Sequence, residues 1–149
     1  MNLAALIDHT LLKPEATREQ ISKLCSEARA HKFFSVCVNP FYVPQALEEL
    51  KGSEVLVCSV VGFPLGSNST VTKAHETQWV LTHGAQEVDM VMNIAAAKSS
   101  EWDTVEHEIK TLAEICHKEG AILKVILETC LLTYEEKVKA CKACVSAGA

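Results

Sequence analysis

No block of basic residues interrupts this sequence, no basic stretch is interleaved with aromatics, and no apolar run is long enough to cross a membrane. Acidic and basic side chains are spread along the 149 residues, with a formal net charge of −5, so nucleic acid is not an expected partner. The longest apolar stretch, Val55 to Leu65, is broken by Ser59, Gly62 and Pro64, which excludes a membrane-spanning helix. The N-terminus has no positive region, and Asp8 and His9 cut its apolar run short, so it does not read as a secretory signal. A disulfide framework is missing too. The seven cysteines are odd in number and sit among apolar neighbours, the pattern of reduced thiols in a cytoplasmic protein. Cys141 and Cys144 form a Cys-x-x-Cys, but it lies in the helical period of Val138 to Val145 and no second pair has ligand spacing. Metal ligands do not cluster along the sequence, and the expectation is no metal and no cofactor.

What is present is composition for a core, 48% hydrophobic against 22% charged, in a length that suits one domain spanning 1–149. Short apolar runs alternate with amphipathic stretches. Leu6 to His9 is the first run, and Thr17-Arg-Glu-Gln20 is a capping box that opens a helix with Ile21, Leu24, Cys25 and Ala28 on one face. Ser35 to Asn39 is the second run, followed by a short helix over about 42–50. Val55 to Gly62 is the third, followed by a helix from about Ser69 to Thr82 that Gly84 stops. Glu87 to Asn93 precedes a helix marked by Trp102, Val105, Ile109, Leu112 and Cys116. The fifth run, Ile122 to Glu128, leads to a second capping box, Thr133-Tyr-Glu-Glu136, and a helix with Tyr134, Val138, Cys141 and Val145 on one face, closed by Gly148.

Strands alternating with helices imply βαβ crossovers and a parallel sheet. One strand about every thirty residues fits a (β/α)8 TIM barrel of about 250 residues, of which this would be about five units, a partial barrel. A doubly wound five-stranded sheet has the same beat. Polarity on one strand face favours the barrel: Lys124 and Glu128 alternate with Ile122 and Ile126, and Glu87, Asp89 and Asn93 share a face with Val91.

Asp89 and Lys124 lie mid-strand on consecutive units. Either charge buried alone would cost several kcal/mol, so each is expected to neutralise the other. That pair reads either as a structural ion pair setting register, or as a proton relay beside an amine that adds to a carbonyl. Asp8, His9 and Thr10 follow the first run, and Cys37 points inward with Ser35 and Asn39. Asp8 is equally a loop cap or a substrate contact, whereas a lone cysteine such as Cys37 reads first as a small buried hydrophobe and only second as a pocket residue. His31, His75, His83, His107 and His117 fall on helices or their ends. Gly62-Phe-Pro-Leu-Gly66 lacks the Lys-Ser/Thr ending of a phosphate loop.

Five stretches together resemble the deoxyribose-phosphate aldolase family: Ile7-Asp-His-Thr-Leu-Leu-Lys-Pro14, Ser35-Val-Cys-Val-Asn-Pro40, Val60-Val-Gly-Phe-Pro-Leu-Gly66, Glu87-Val-Asp-Met-Val-Met-Asn93 and Leu123-Lys-Val-Ile-Leu-Glu-Thr129. They occur in that family's order and span the chain. The resemblance implies a metal-free class I aldolase on a (β/α)8 barrel, cleaving 2-deoxy-D-ribose 5-phosphate reversibly to acetaldehyde and D-glyceraldehyde 3-phosphate through a Schiff base. It further implies that Asp89 is the proton-relay aspartate, that Lys124 is the fifth-strand lysine beside it, and that Asp8, Thr10 and Cys37 surround a small phosphorylated sugar or aldehyde. The Schiff-base lysine belongs to a sixth strand, after Ala149, and a second lysine to the seventh. The chain by itself is therefore expected to be inactive. The alternative is a non-catalytic barrel fragment, a scaffold that self-associates through its open edges as a homodimer or larger homo-oligomer. The Ala95-Ala-Ala97 run departs from the family, which often has a glycine there.

Overall fold

The computed structural model describes residues 3–149. A 3-10 turn over Leu3–Leu6 leads into β1 (Asp8–Leu11), and four further strands follow: β2 (Ser35–Val38), β3 (Leu56–Val61), β4 (Glu87–Val91) and β5 (Ile122–Ile126). All neighbours pair in parallel and in chain order, β1-β2-β3-β4-β5, so each connection is a crossover carrying helix. The helices are α1 (Arg18–His31), α2 (Val43–Glu49), α3 (Thr70–Thr82), α4 (Ile94–Lys98), α5 (Trp102–Lys118) and α6 (Tyr134–Ala147). Sequential strand order without a reversal is that of a barrel wall, not of a doubly wound sheet, whose order reverses at a switch point. The sheet is not closed, and β1 and β5 are its edges.

Local chemistry explains the helix boundaries. Thr17 accepts the Gln20 N–H while the Gln20 side chain accepts the Thr17 N–H, and Thr133 and Glu136 repeat this at α6, so orphan first-turn donors are satisfied at both. Ser69 caps α3 alone, by accepting the Thr72 N–H. Gly148 closes α6 in the left-handed region with φ 86°, a conformation that costs glycine nothing. The helix α4 was not anticipated. Asn93, expected on the inward face of the fourth strand, lies beyond it, and its Oδ1 accepts the Ala96 N–H, turning the alanine run into a short helix.

The first strand begins later than its apolar run suggests. Leu6 and Ile7 are exposed, whereas Asp8 and Thr10 lie within β1 and pair with Ser35 and Cys37. Asp8 is therefore not a loop cap: the ladder with β2, reinforced by the Ser35 hydroxyl donating to Asp8 Oδ1 at 2.7 Å, draws it into the sheet. The fifth strand ends earlier, at Ile126, and Glu128 sits beyond it with φ 53°.

Period-2 alternation divides the sheet into two faces. Val36, Val38, Val57, Val61, Val88, Met90 and Leu123 join the main core against the helices. That core takes Ile21, Leu24, Cys25 and Ala28 from α1 and Val105, Ile109, Leu112 and Cys116 from α5, the positions the helical period picks out. Each such Val, Leu or Ile contributes about 1.5–3 kcal/mol over its exposed state. The opposite face carries a small apolar group, Cys37, Cys58 and Val60 with Leu12 and Ile126, set among charges.

The face of α6 is the reverse of expectation. Ala140, Ala143 and Ala147 are buried, whereas Tyr134 (76%) and Val145 (78%) are exposed and Val138 and Cys141 face outward with them. The helical period offers two stripes here, and the alanine stripe lets α6 approach closely, so the larger side chains turn away.

Candidate active site

The charged residues of the inner face come from β1, β4 and β5. Strand register places Val60, Asp89 and Lys124 side by side, with Cys58 level with Glu87 in the row before. Lys124 reaches across the concave face to the far edge strand, and its Nζ donates to Asp8 Oδ2 at 2.6 Å. The same Nζ lies 3.3 Å from Asp89 Oδ1 and 3.5 Å from Glu87 Oε2. The expected Asp89–Lys124 pair thus exists, but as one contact of a cluster whose shortest link is to Asp8, and only a curled sheet brings those strands face to face.

Three carboxylates surround one ammonium. Burial pulls the Lys124 amine down, yet the Asp8 hydrogen bond, with Cys58, Asp89 and Glu87 nearby, outweighs it and holds the amine above the ordinary lysine value. An amine so held is a cation and a poor nucleophile, which argues against the carbonyl-adding role considered for Lys124. Glu87 is the complement. It is 2% exposed, and burial, aided by the negative charges of Asp8 and Asp89, pushes its carboxyl above the ordinary range against the pull of Lys124. Two oxygens in the cluster, Glu87 Oε2 and Asp89 Oδ1, are buried with no hydrogen-bond partner.

The remaining expected residues divide. Cys37 is buried on the inner face opposite Cys58, whose thiol is pushed up first by its hydrogen bond with Cys37 and then by burial. Thr10 is exposed on the same strand face as Asp8, and its hydroxyl donates to the Asp8 carbonyl at 2.8 Å. His9 points to the helix side and bonds Glu27 at 2.8 Å. Glu128 stands apart, accepting from the Cys130 thiol.

Two buried residues escaped the sequence reading. Lys73 of α3 (0% exposed) donates to Glu108 Oε2 of α5 at 2.7 Å and to the Val91 carbonyl at the end of β4 at 2.8 Å. The signal was available: Glu108 falls three residues after Val105 and four before Leu112, in the buried stripe of α5. Lys73 also underlies Gly62, where a Cβ would stand 2.8 Å from its Cε, and the Gly62 N–H donates to Glu76 Oε2 at 2.8 Å. That amide is committed within the protein, which weakens any reading of Gly62 to Gly66 as a phosphate cradle. Gly66 (φ 65°) must itself be glycine, because a Cβ would meet the Met92 carbonyl oxygen at 2.1 Å.

Parallel strands in sequential order, helices on the convex side and a lysine–carboxylate cluster on the concave side define the class: a (β/α)-barrel wall, left open, with charged groups on its inner face. The particular family follows from comparison. The profile of the DeoC/LacD family aldolases matches residues 3–147, and the chain belongs to that family. It is 55% identical over 149 residues to a deoxyribose-phosphate aldolase of Brevibacillus brevis, covering 100% of this chain and 66% of that protein. A Lysinibacillus sphaericus deoxyribose-phosphate aldolase is also 55% identical, over 99% of this chain and 66% of its own length. The tetrameric deoxyribose phosphate aldolase from Aeropyrum pernix superposes with a TM-score of 0.91 at 33% identity, over 99% of this chain and 61% of that one. The chain thus spans about two-thirds of the length of the bacterial relatives it matches, 66% in each case. Among the described residues no helix is long and apolar enough to cross a membrane.

Proposed function

We propose that these residues are the first five β/α units of a deoxyribose-phosphate aldolase, acting in the cytoplasm on 2-deoxy-D-ribose 5-phosphate. The observation that carries this reading is the single ammonium of Lys124 held within 3.5 Å of Asp8, Glu87 and Asp89 inside a strand wall of the aldolase family. In the proposed chemistry a lysine outside these 149 residues forms the Schiff base. Asp89, with an oxygen free of hydrogen bonds, takes and returns protons as carbinolamine, imine and enamine interconvert. Lys124 supplies fixed positive charge and holds Asp8 and Asp89 in place. Asp8, Thr10 and Cys37 line the approach of the sugar or aldehyde. No resident metal or organic cofactor is required by this chemistry.

Because the Schiff-base amine is not among these residues, the isolated 149-residue chain is expected to release negligible acetaldehyde. Borohydride reduction with acetaldehyde should leave its intact mass unchanged. A single reduced adduct mapped to Lys124 would overturn the assigned roles and make that lysine the nucleophile.

A second reading, association without catalysis, is favoured by the edges. β1 and β5 carry unpaired backbone groups on their outer sides, and Ile122, Leu131, Tyr134 and Val145 are exposed near the β5 side. A two-fold dimer covering this side is the expected assembly. Light scattering that reports a monomer on dilution with a cooperative melt would refute it.

A further inference from the structure

The inner face holds a second arrangement beside the lysine cluster. Cys37 and Cys58 are direct register partners across the β2–β3 ladder, and Asp89 pairs with Val60, two residues along from Cys58. The two sulfurs and an Asp89 carboxylate oxygen all lie within 4.8 Å of one another. Both cysteines are buried, at 3% and 0% exposure. Directly across from Cys58 stands Glu87, nine-tenths and more buried, whose Oε2 has no hydrogen bond; Asp89 Oδ1 has none either. Orphaned buried carboxylate oxygens are costly and call for a donor or a cation. Lys124 approaches these two only at 3.5 and 3.3 Å and gives its short hydrogen bond to Asp8.

We propose that Cys37, Cys58 and Asp89 form a binding site for a thiophilic divalent cation such as Zn²⁺ or Cd²⁺, with Glu87 beside it. Two thiolates and a carboxylate are a donor set that favours such ions over magnesium or calcium, which take oxygen ligands. Sulfurs about 2.3 Å from a tetrahedral zinc stand about 3.8 Å apart. Side chains already within 4.8 Å reach that spacing by small rotations on a rigid strand pair. Loading exchanges two S–H bonds for two metal–sulfur bonds, and both protons pass to solvent. Three ligand negative charges then face two positive ones. Lys124 is not stranded when Asp89 turns to the ion, because Asp8 stays at 2.6 Å and Glu87 beside it. This goes beyond the aldolase reading and gives the ion no part in that reaction.

Cadmium titration tests the site. Cys130, Cys141 and Cys144 are the less buried thiols and would bind the ion themselves, so the chain is used with all three changed to serine. One Cd²⁺ per chain is expected by native mass spectrometry, with thiolate-to-cadmium charge-transfer absorption in the near ultraviolet. Outer partners of metal ligands are worth about 10–100-fold in affinity, so losing a direct ligand through Cys37→Ser or Cys58→Ser should weaken binding at least about 100-fold. Asp89→Asn should weaken binding and keep the charge-transfer band. X-ray absorption of the loaded chain with its inner residues intact should find two sulfurs and lighter atoms around cadmium, a readout that no misfolded variant can obscure. Absence of the band, survival of the band in the Cys37→Ser/Cys58→Ser double variant, or a shell without two sulfurs would each overturn the proposal.

Discussion

Lys73 and Lys124 are both set against carboxylates, on opposite sides of one strand wall, and they are held in opposite ways. Lys73 meets one carboxylate, Glu108, and one carbonyl, in a pocket with no solvent on either partner (0% and 1% exposed). Charge and hydrogen bonding are balanced there, and the pair ties α3 and α5 to the end of β4. Lys124 meets three carboxylates, keeps 35% of its side chain exposed, and leaves two carboxylate oxygens without hydrogen bonds. A closed account of charge is what a structural tie needs. Surplus charge beside an opening to solvent is what proton transfer or ligand binding needs, and it costs stability. The comparison separates a fully buried lysine that ties helices together from a half-buried one set in a surplus of negative charge.

The largest expected effect is on the helix side. Lys73→Met leaves Glu108 buried without a cation and should cost about 3–5 kcal/mol in denaturant melts, while the Lys73→Met/Glu108→Leu double change should cost less than either single one. Additive, small losses would show that this pair is solvated and would erase the contrast. Lys124→Met comes next. It removes the short donor to Asp8 Oδ2 and leaves Ser35 on Oδ1, and water reaches this site, so a loss of about 1–3 kcal/mol is expected, below that of Lys73→Met. A loss larger than Lys73→Met would make the inner cluster the main structural tie.

The smallest effect has the opposite sign. Glu87 carries a folded-state pKa raised above its ordinary value of 4.5, so the folded chain holds this proton more tightly than the unfolded one. Its contribution to stability is therefore present below pH 4.5 and is lost as pH rises through the raised value. Glu87→Gln should stabilise the chain at pH 7 and flatten this part of the pH dependence, measured as melts from pH 4 to pH 8. A destabilised Glu87→Gln at pH 7 would show that its charge is wanted by Lys124 more than burial opposes it.

Much of the wall was legible beforehand. Both capping boxes, the buried stripes of α1 and α5 and the turn glycines follow from short-range spacing, and each appears where the residues put it. Lys124 and Asp89 were found because mid-strand charge on the inward parity is rare enough to stand out. Glu108 was not, because one glutamate in a helical stripe looks like a surface residue until its partner, 35 residues earlier, is known. The α6 face failed for a related reason: Val145 and Tyr134 outrank alanine in hydrophobicity, but close helix packing selects small volume.

By itself the sequence determined the alternation of strands and helices, the parity of each strand and the family likeness. These depend on neighbours a few residues apart and on motif order. Tertiary structure alone decided which charge answers which. Asp8 and Lys124 are 116 residues apart on the two edge strands, and only the curl of five strands brings the ends of their side chains within 2.6 Å. The same curl sets Cys37, Cys58 and Asp89 from three strands within reach of one ion. Electrostatic contacts fall off over a few ångströms, while the sequence records only order along the chain, so pairings across a sheet are settled by its curvature.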